Sequence, residues 1–405
     1  MGGLMVGRKY YLCALGYYIN IGILGVYIPW RLLELTGAAT AIGAMLCIRA
    51  LPGLLIGSLT GKLVDKRDKR KLMVFACLLS VLFMVPFILF PSALMSITSL
   101  YAVIAVASIS NTVFLAAIRS YLHVMTESQY LGVANGRFEM SIQFGNIIGT
   151  MVGGGLTVLA SSGLTFGLVS VILASVALQA FRLPSVTSEA TGGKTVLKTH
   201  TEEPPLLRQV GVLPALLVML IPMTFLQMFN ILLGPISKES MHVTAEGFGY
   251  LNAAYSAGAM AMSLVLSSRF HARSFSLLFI SGLSVAIFNM LLPLSTTLVS
   301  GLVATLLIGA TIVWARVIAN SFLMKLVAPS QAGRLQAVIL NMHYCTVFIA
   351  GLAFGYLTDR FGYLPLYFCL SALVTLLMFT GLTVKLLAKR KSPSTILRFS
   401  DVGKK

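Results

Sequence analysis

The chain has 405 residues, 57% of them hydrophobic and only 10% charged, whereas a soluble domain carries roughly 45–50% apolar and about 25% charged residues. That balance sets aside a soluble enzyme, a disordered chain and a nucleic-acid-binding domain. The 30 Lys and Arg outnumber the 12 Asp and Glu to give a net charge of +18, which on a membrane protein reports orientation rather than a polyanionic partner.

Apolar runs of spanning length, about 20 residues each, fall at 10–30, 39–60, 72–91, 95–118, 138–160 and 164–183. The first follows Arg8 and Lys9 in the manner of a secretory leader, but it is too long and lacks a small-residue cleavage site, so it reads as a span. Residues 184–210 are rich in Ser, Thr, Gly and Glu, contain Pro204 and Pro205, and read as a cytoplasmic linker. Six further runs follow at 211–234, 248–268, 274–293, 297–320, 335–357 and 364–387, with a basic tail at 388–405. The expected architecture is an all-α integral membrane protein of twelve transmembrane helices. They divide into two six-helix pseudo-symmetric bundles, residues 1–183 and 211–387, whose hydropathy rhythm repeats at an offset of about 200 residues.

Charge supports an even number of spans. With both termini cytoplasmic, 25 of the Lys and Arg fall on inner segments, only Arg31, Lys238 and Arg360 fall on outer loops, and Arg49 and Arg316 lie within spans. This is the positive-inside bias of a multi-pass membrane protein. Cys13, Cys47, Cys77, Cys345 and Cys369 each sit in an apolar run without metal-site spacing and read as packing residues. No cofactor, metal or nucleic-acid partner is expected; the partners are the lipid bilayer and a small-molecule substrate, and the chain is expected to act as a monomer.

Two motifs carry a family resemblance. Between the second and third spans stands Gly61-Lys62-Leu63-Val64-Asp65-Lys66-Arg67-Asp68-Lys69-Arg70-Lys71. It resembles the loop signature G-x-L-a-D-r-x-G-r-k of the major facilitator superfamily, with Asp68 in place of the second glycine. With Arg49-Ala50-Leu51-Pro52 and the stretch Arg119–Met125, it is similar to the branch holding macrolide and siderophore exporters. Gly61 permits close approach of helix ends, and the Asp65 carboxylate suits a helix N-terminus or a neighbouring Arg, which makes Gly61, Asp65, Lys66 and Arg70 a candidate gate. The basic residues of this loop are equally readable as orientation signals.

In the fifth span, Gly145, Gly149, Gly153 and Gly154 are similar to the glycine-rich signature of superfamily antiporters, with Thr150 replacing its proline. Small residues four apart also mark an interhelix seam on physical grounds alone. A second copy of the loop pattern, Gly355-Tyr356-Leu357-Thr358-Asp359-Arg360, falls after the eleventh span on the outer side. The copy expected after the eighth span is only the worn Arg269–Arg273.

An ionisable group near mid-membrane is costly, so each is a candidate. Arg49 lies near the middle of its span and reads either as a structural cation satisfied by carbonyls or as a cavity cation facing an anionic group. Arg316, nearer a span end, reads as cavity-facing or snorkelling. Glu139, Glu34, Asp65 and His343 are the remaining ionisable candidates for substrate or proton coupling. Glu139 also reads as an acidic first helical turn, and His343 as a packing residue. Asn20 adds a neutral polar group, and Tyr17, Tyr18, Phe225, Phe229 and Tyr344 supply aromatic walls.

The resemblance implies a secondary transporter, not an enzyme, that exports a small amphipathic drug or secreted metabolite by proton antiport. The alternatives are transport of an anionic metabolite or siderophore, suggested by Arg49 and Arg316, and, more remotely, a membrane-embedded lipid enzyme.

Overall fold

The computed structural model describes residues 7–91, 96–159, 161–185, 209, 211–269, 275–327 and 331–391. They form twelve long helices: α1 Arg8–Thr36, α2 Ala39–Lys66, α3 Lys69–Leu89, α4 Ile97–Met125, α5 Leu131–Leu159, α6 Ser162–Phe181, α7 Val212–Glu239, α8 Ala245–Arg269, α9 Phe275–Asn289, α10 Leu298–Leu326, α11 Ala332–Phe361 and α12 Tyr363–Lys391. A 3-10 turn at Ser128–Tyr130 precedes α5, and no strand occurs among the described residues. The expected linker at 184–210 lies almost entirely outside the described residues, as do the tail beyond Lys391 and the worn loop copy after Arg269.

Each expected span coincides with one helix. Several helices outrun their apolar runs because α-helical hydrogen bonding continues where the chain leaves the bilayer: α4 ends at Met125 rather than Ile118, and α5 starts at Leu131 rather than Phe138. Ten of the described helices are long and apolar enough to cross a membrane. α9 is described over only 15 residues, and α8 falls short because its sequence is rich in Gly, Ala and Ser. That composition follows from its place between α5 and α10, where close backbones leave room only for small side chains. An added Cβ at Gly249 would lie 2.6 Å from the Thr150 carbonyl oxygen of α5, and Gly258 stands against the Leu306 backbone of α10.

The packing repeats between the halves. In the first bundle α1 lies along α5 and α6, α3 along α6 and α4, and α2 along α4. In the second, α7 lies along α11, α9 along α12 and α10, and α8 along α10. The two bundles meet where α2 packs on α11 and α5 on α8, pairs that exchange under a pseudo-twofold relating α1–α6 to α7–α12. Leu82 of α3, Val171 of α6 and Leu376 of α12 are exposed and provide the apolar surface that a bilayer covers.

The glycine run of α5 builds the longest seam of the first bundle. An added Cβ at Gly145 would lie 2.7 Å from the Leu15 carbonyl oxygen, one at Gly149 2.9 Å from Gly22 Cα, and one at Gly153 2.8 Å from the Ile23 carbonyl oxygen. α1 and α5 therefore touch backbone to backbone over two helical turns. Gly154, one residue on, faces α8 instead, 2.9 Å from the Ala245 carbonyl oxygen by the same measure. The motif thus serves both a seam within the bundle and a contact between bundles.

Candidate functional site

One end of the molecule, the basic face, carries the start of α1 with Arg8 and Lys9, the end of α2 with Lys66, and the end of α10 with Lys325. At the opposite face the bundles are closed. On α2 and α11, Gly43 meets the Gly351 backbone, Gly355 meets Thr40, Cys47 Sγ donates to the Phe348 carbonyl at 3.3 Å, and the Tyr344 ring lies on Gly53. On α5 and α8, Gly154 and Thr150 meet Ala245 and Gly249. Trp30 of α1 sits 5.5 Å from the Phe248 ring of α8. Toward the basic face, Gly57 and Gly61 of α2, Gly136 of α5 and Gly333 of α11 stand in open space. The space between the bundles is therefore sealed on the opposite face and opens toward the basic face.

The polar side chains of this space converge near mid-helix. Arg49 of α2 is solvent-accessible although protein surrounds it, with the Tyr18 hydroxyl of α1 and the Tyr344 hydroxyl of α11 in electrostatic reach. An accessible side chain placed between two bundles lines a cavity. His343 of α11 lies within electrostatic reach of both Arg49 and Arg316, and Arg316 of α10 is also accessible and near Tyr255 of α8. Arg316 lies in the body of α10, not at the helix end. Arg49 and Arg316 make no hydrogen bond or ion pair among the described residues.

Glu139 is not in the first turn of α5, which begins two helical turns earlier at Leu131. It pairs with Arg119 of α4 at 3.8 Å, both half exposed. The apolar run stops at Ile118, but the helix continues to Met125, so Arg119 stands on α4 opposite Glu139 and not in a loop. An apolar run is a poor guide to a helix end that faces water. Tyr18 is held in place by the α1–α5 seam, since its Cβ would lie 2.8 Å from a Cβ at Gly145.

Other candidates lie elsewhere. Asn20 is buried inside the first bundle, on the α1 face shared with Cys13, Gly16 and Tyr27 that packs on Val176 and Phe166 of α6. Tyr17 stacks on Phe114 at 3.7 Å and is likewise core. Phe225 and Phe229 are buried, Phe229 stacking on Tyr255 at 4.7 Å. Glu34 is at the opposite face, where it accepts from Arg31 at 2.6 Å and from Trp30 Nε1 at 2.8 Å. It borders a cleft of about 430 Å³ with Tyr27, Pro91 and Ser161.

The loop motif divides in two. Asp68, the departure from the signature, caps α3 by accepting from the Arg70 amide at 3.0 Å, as N-cap carboxylates do. Arg70 donates to the Phe181 and Leu183 carbonyls at 3.2 and 3.3 Å and lies over the Phe181 ring, which ties the loop to the end of α6. Asp65 and Lys66 are exposed, Asp65 makes no hydrogen bond or ion pair among the described residues, and Gly61 has nothing against it. No close helix approach occurs at Gly61 in this conformation, because the bundles are apart on the basic face.

The repeated pattern, expected as a loop past the eleventh span, instead forms the last turns of α11, and it carries the latch that is engaged. Asp359 accepts from the Ala39 amide at 2.7 Å and the Thr40 amide at 2.8 Å, and also from the Thr40 hydroxyl. The repeat of the motif is visible in the sequence but its partner is not, because the contact crosses some 320 positions of chain.

Comparison with known proteins places this geometry. The family model described as Major Facilitator Superfamily matches residues 10–351. Among curated proteins no sequence matches. Among solved structures, the nucleoside transporter NupG superposes with a TM-score of 0.71 at 12% identity, covering 93% of this chain and 98% of that one. A POT family transporter in complex with a thioalcohol-conjugated peptide gives 0.68 at 11% identity, covering 93% and 95%. A bacterial homologue of the human lysosomal transporter Spinster, inward-facing and unoccupied, gives 0.65 at 14% identity, covering 87% and 82%.

Proposed function

The chain belongs to the Major Facilitator Superfamily, and from that premise we propose that it is a secondary transporter that exports a small amphipathic compound across a bacterial cell membrane by opening its two faces in turn. The observation that carries this reading is the closure of the bundles at α2–α11 and α5–α8 on one face, while Gly57, Gly61, Gly136 and Gly333 toward the basic face stand clear of any neighbour, which we read as a cavity between the bundles open on that side. Such a cavity binds from the open side and releases only after the bundles rock to the alternate state. Arg49, His343 and Tyr344 are then wall residues and not packing residues.

The charge bias puts the open, basic face in the cytoplasm, so the state seen is the one that loads a cytoplasmic solute. The loop signature around Asp65 and the glycine run of α5 support membership of the exporter branch. Proton drive is assigned to Glu139, the carboxylate that the fold brings to the cavity, in competition with Arg119 for its negative charge. Both halves of the cycle are present in one chain, which fits a working monomer. The superposed transporters are named for nucleosides and peptides, so the substrate of this chain follows from its own cavity residues.

The test compares a knockout with overexpression across antibiotics, dyes and secreted metabolites, followed by uptake of the responding compound into inverted vesicles. Accumulation that needs both the chain and a proton gradient is expected. Accumulation that persists at full rate after the gradient is collapsed removes proton coupling, and no response to any compound removes export.

A further inference from the structure

We propose that Asp359 makes the seal on the face opposite the basic one a proton-sensitive latch: its ionised carboxylate holds α2 to α11, and a proton taken up from that side lets the bundles part. This rests on the transporter reading and names how the same conformational cycle is regulated.

Both oxygens of the carboxylate are in use. Oδ1 accepts from the Ala39 amide at 2.7 Å, and Oδ2 accepts from the Thr40 amide at 2.8 Å and from the Thr40 hydroxyl. All three donors belong to the first bundle and the acceptor to the second, so these bonds cross the line along which the bundles separate. The first turn of α2 has no side-chain cap of its own, because its N-cap residue is Ala38. A carboxylate accepts such bonds about twice as strongly as a neutral group does, and the positive end of a helix favours its charge. A proton on either oxygen lands on an atom that already serves an amide N–H, and it cancels the charge. The latch is therefore strong as the anion and weak as the acid.

The proton also has a route. Asp359 is exposed and borders a cleft of about 400 Å³ with Gly37, Ala39, Pro235, Glu239 and Tyr363. The charged surroundings contain no cation that would hold the carboxylate ionised. α7 contributes Glu239, a second carboxylate, and α12 contributes Tyr363, whose hydroxyl is 2.6 Å from the Ser240 hydroxyl. The α1 and α2 walls, Gly37, Ala38 and Ala39, carry no charge. On α11 itself, Arg360 donates to the Tyr356 hydroxyl at 2.9 Å and lies over the Phe361 ring. Neither Asp359 nor Glu239 has an ion pair among the described residues.

Linkage fixes the sign. The closed state uses the anion and the open state does not, so the hold of the latch is complete at neutral pH and is lost as pH falls through the carboxylate range. Opening then takes up a proton from the side opposite the basic face, and by reciprocity acid on that side favours opening. A proton-driven exporter needs this order, with solute released and a proton admitted at the same face.

The experiment uses the full chain in lipid nanodiscs, with spin labels at Leu159 of α5 and Val299 of α10, both exposed. Distances are compared at pH about 7 and about 3.5, either side of the ordinary aspartate range. In the parent, the ratio of long to short distances is expected to rise about threefold or more on acidification. Asp359→Asn has nearly the same shape and mimics the neutral acid: its ratio should already be raised at pH about 7 and should ignore acid. Glu34→Gln alters an exposed carboxylate that Arg31 holds at 2.6 Å, and it should respond as the parent does. A parent distribution that ignores pH overturns the inference, as does a response that survives in D359N or vanishes in E34Q. An acid response without counterflow in liposomes removes the transporter reading and leaves the latch. Counterflow together with distances that ignore pH removes the latch and leaves the transporter.

Discussion

The carboxylate of Asp359, near the end of α11, accepts hydrogen bonds from the backbone amides of Ala39 and Thr40 in the first turn of α2. A side chain of one bundle thereby caps a helix of the other. The α2 N-cap residue, Ala38, has no side chain able to do so, and the first amides of a helix carry partial positive charge that favours an anion.

Replacing Asp359 by Ala removes this link and leaves the first amides of α2 to water. Loss of a helix cap costs about 1–2 kcal/mol, enough to shift a two-state balance by roughly five- to thirtyfold. Spin labels on Leu35 and Phe361, both exposed near the opposite face, should report a larger fraction of long distances in D359A. An unchanged distance distribution would show that the latch carries no weight.

Asp65 stands at the far end of α2 in the same G-x-L-x-D pattern, without a partner among the described residues. Asp65→Asn should leave thermal stability within about 0.5 kcal/mol, as expected of a surface change, while lowering turnover with little loss of substrate binding. Arg70→Ala, by contrast, deletes two hydrogen bonds to the end of α6 and should cost about 1–2 kcal/mol. Melting curves of the two variants separate gate from scaffold; equal losses would contradict the division.

The α1–α5 seam predicts an asymmetry between glycines. Gly149→Ala places a methyl against the Ile19 carbonyl and Gly22 Cα and should destabilise by about 1–3 kcal/mol, in the range of overpacked cores. Gly155→Ala meets nothing within 4 Å and should be neutral or slightly stabilising, since Ala suits a helix better than Gly. Thermal denaturation in detergent measures both, and a Gly149→Ala protein as stable as the parent would refute the close contact.

Glu139→Gln keeps size and removes charge. The pair with Arg119 is half exposed, so its loss should cost under about 1 kcal/mol of stability. The transport phenotype should be larger: counterflow of substrate persists, while accumulation driven by a pH gradient is lost. Retained gradient-driven accumulation would move the proton site elsewhere.

The helices were legible because spanning runs of about 20 residues and charge asymmetry are set by the bilayer itself. Arg49 was legible for the same reason, since its cost in the membrane interior marks it. What sequence does not show is which surfaces meet. Gly145, Gly149 and Gly153 announce a seam, but nothing local says that the partner is α1 or that Gly154 turns to α8. Asn20 looked like Arg49, a polar residue in an apolar run, yet helical phase points it into the first bundle. Arg119 and Asp359 stand in motifs that the sequence shows, but their partners, Glu139 on the next helix and the first turn of α2, are not visible locally.

The stack of the Tyr344 ring on Gly53 marks where the two bundles part. From this fulcrum α2 extends about 20 Å to Ala39 in one direction and about 20 Å to Lys66 in the other, at 1.5 Å per residue. The arms are nearly equal, so each degree of tilt moves the helix ends by about 0.35 Å in opposite senses over that length. A tilt of about 15° then displaces each end by roughly 5 Å, one turn of helix, enough to free Asp359 at one end while carrying Asp65 inward at the other. Equal arms make opening on one side the mechanical counterpart of closing on the other.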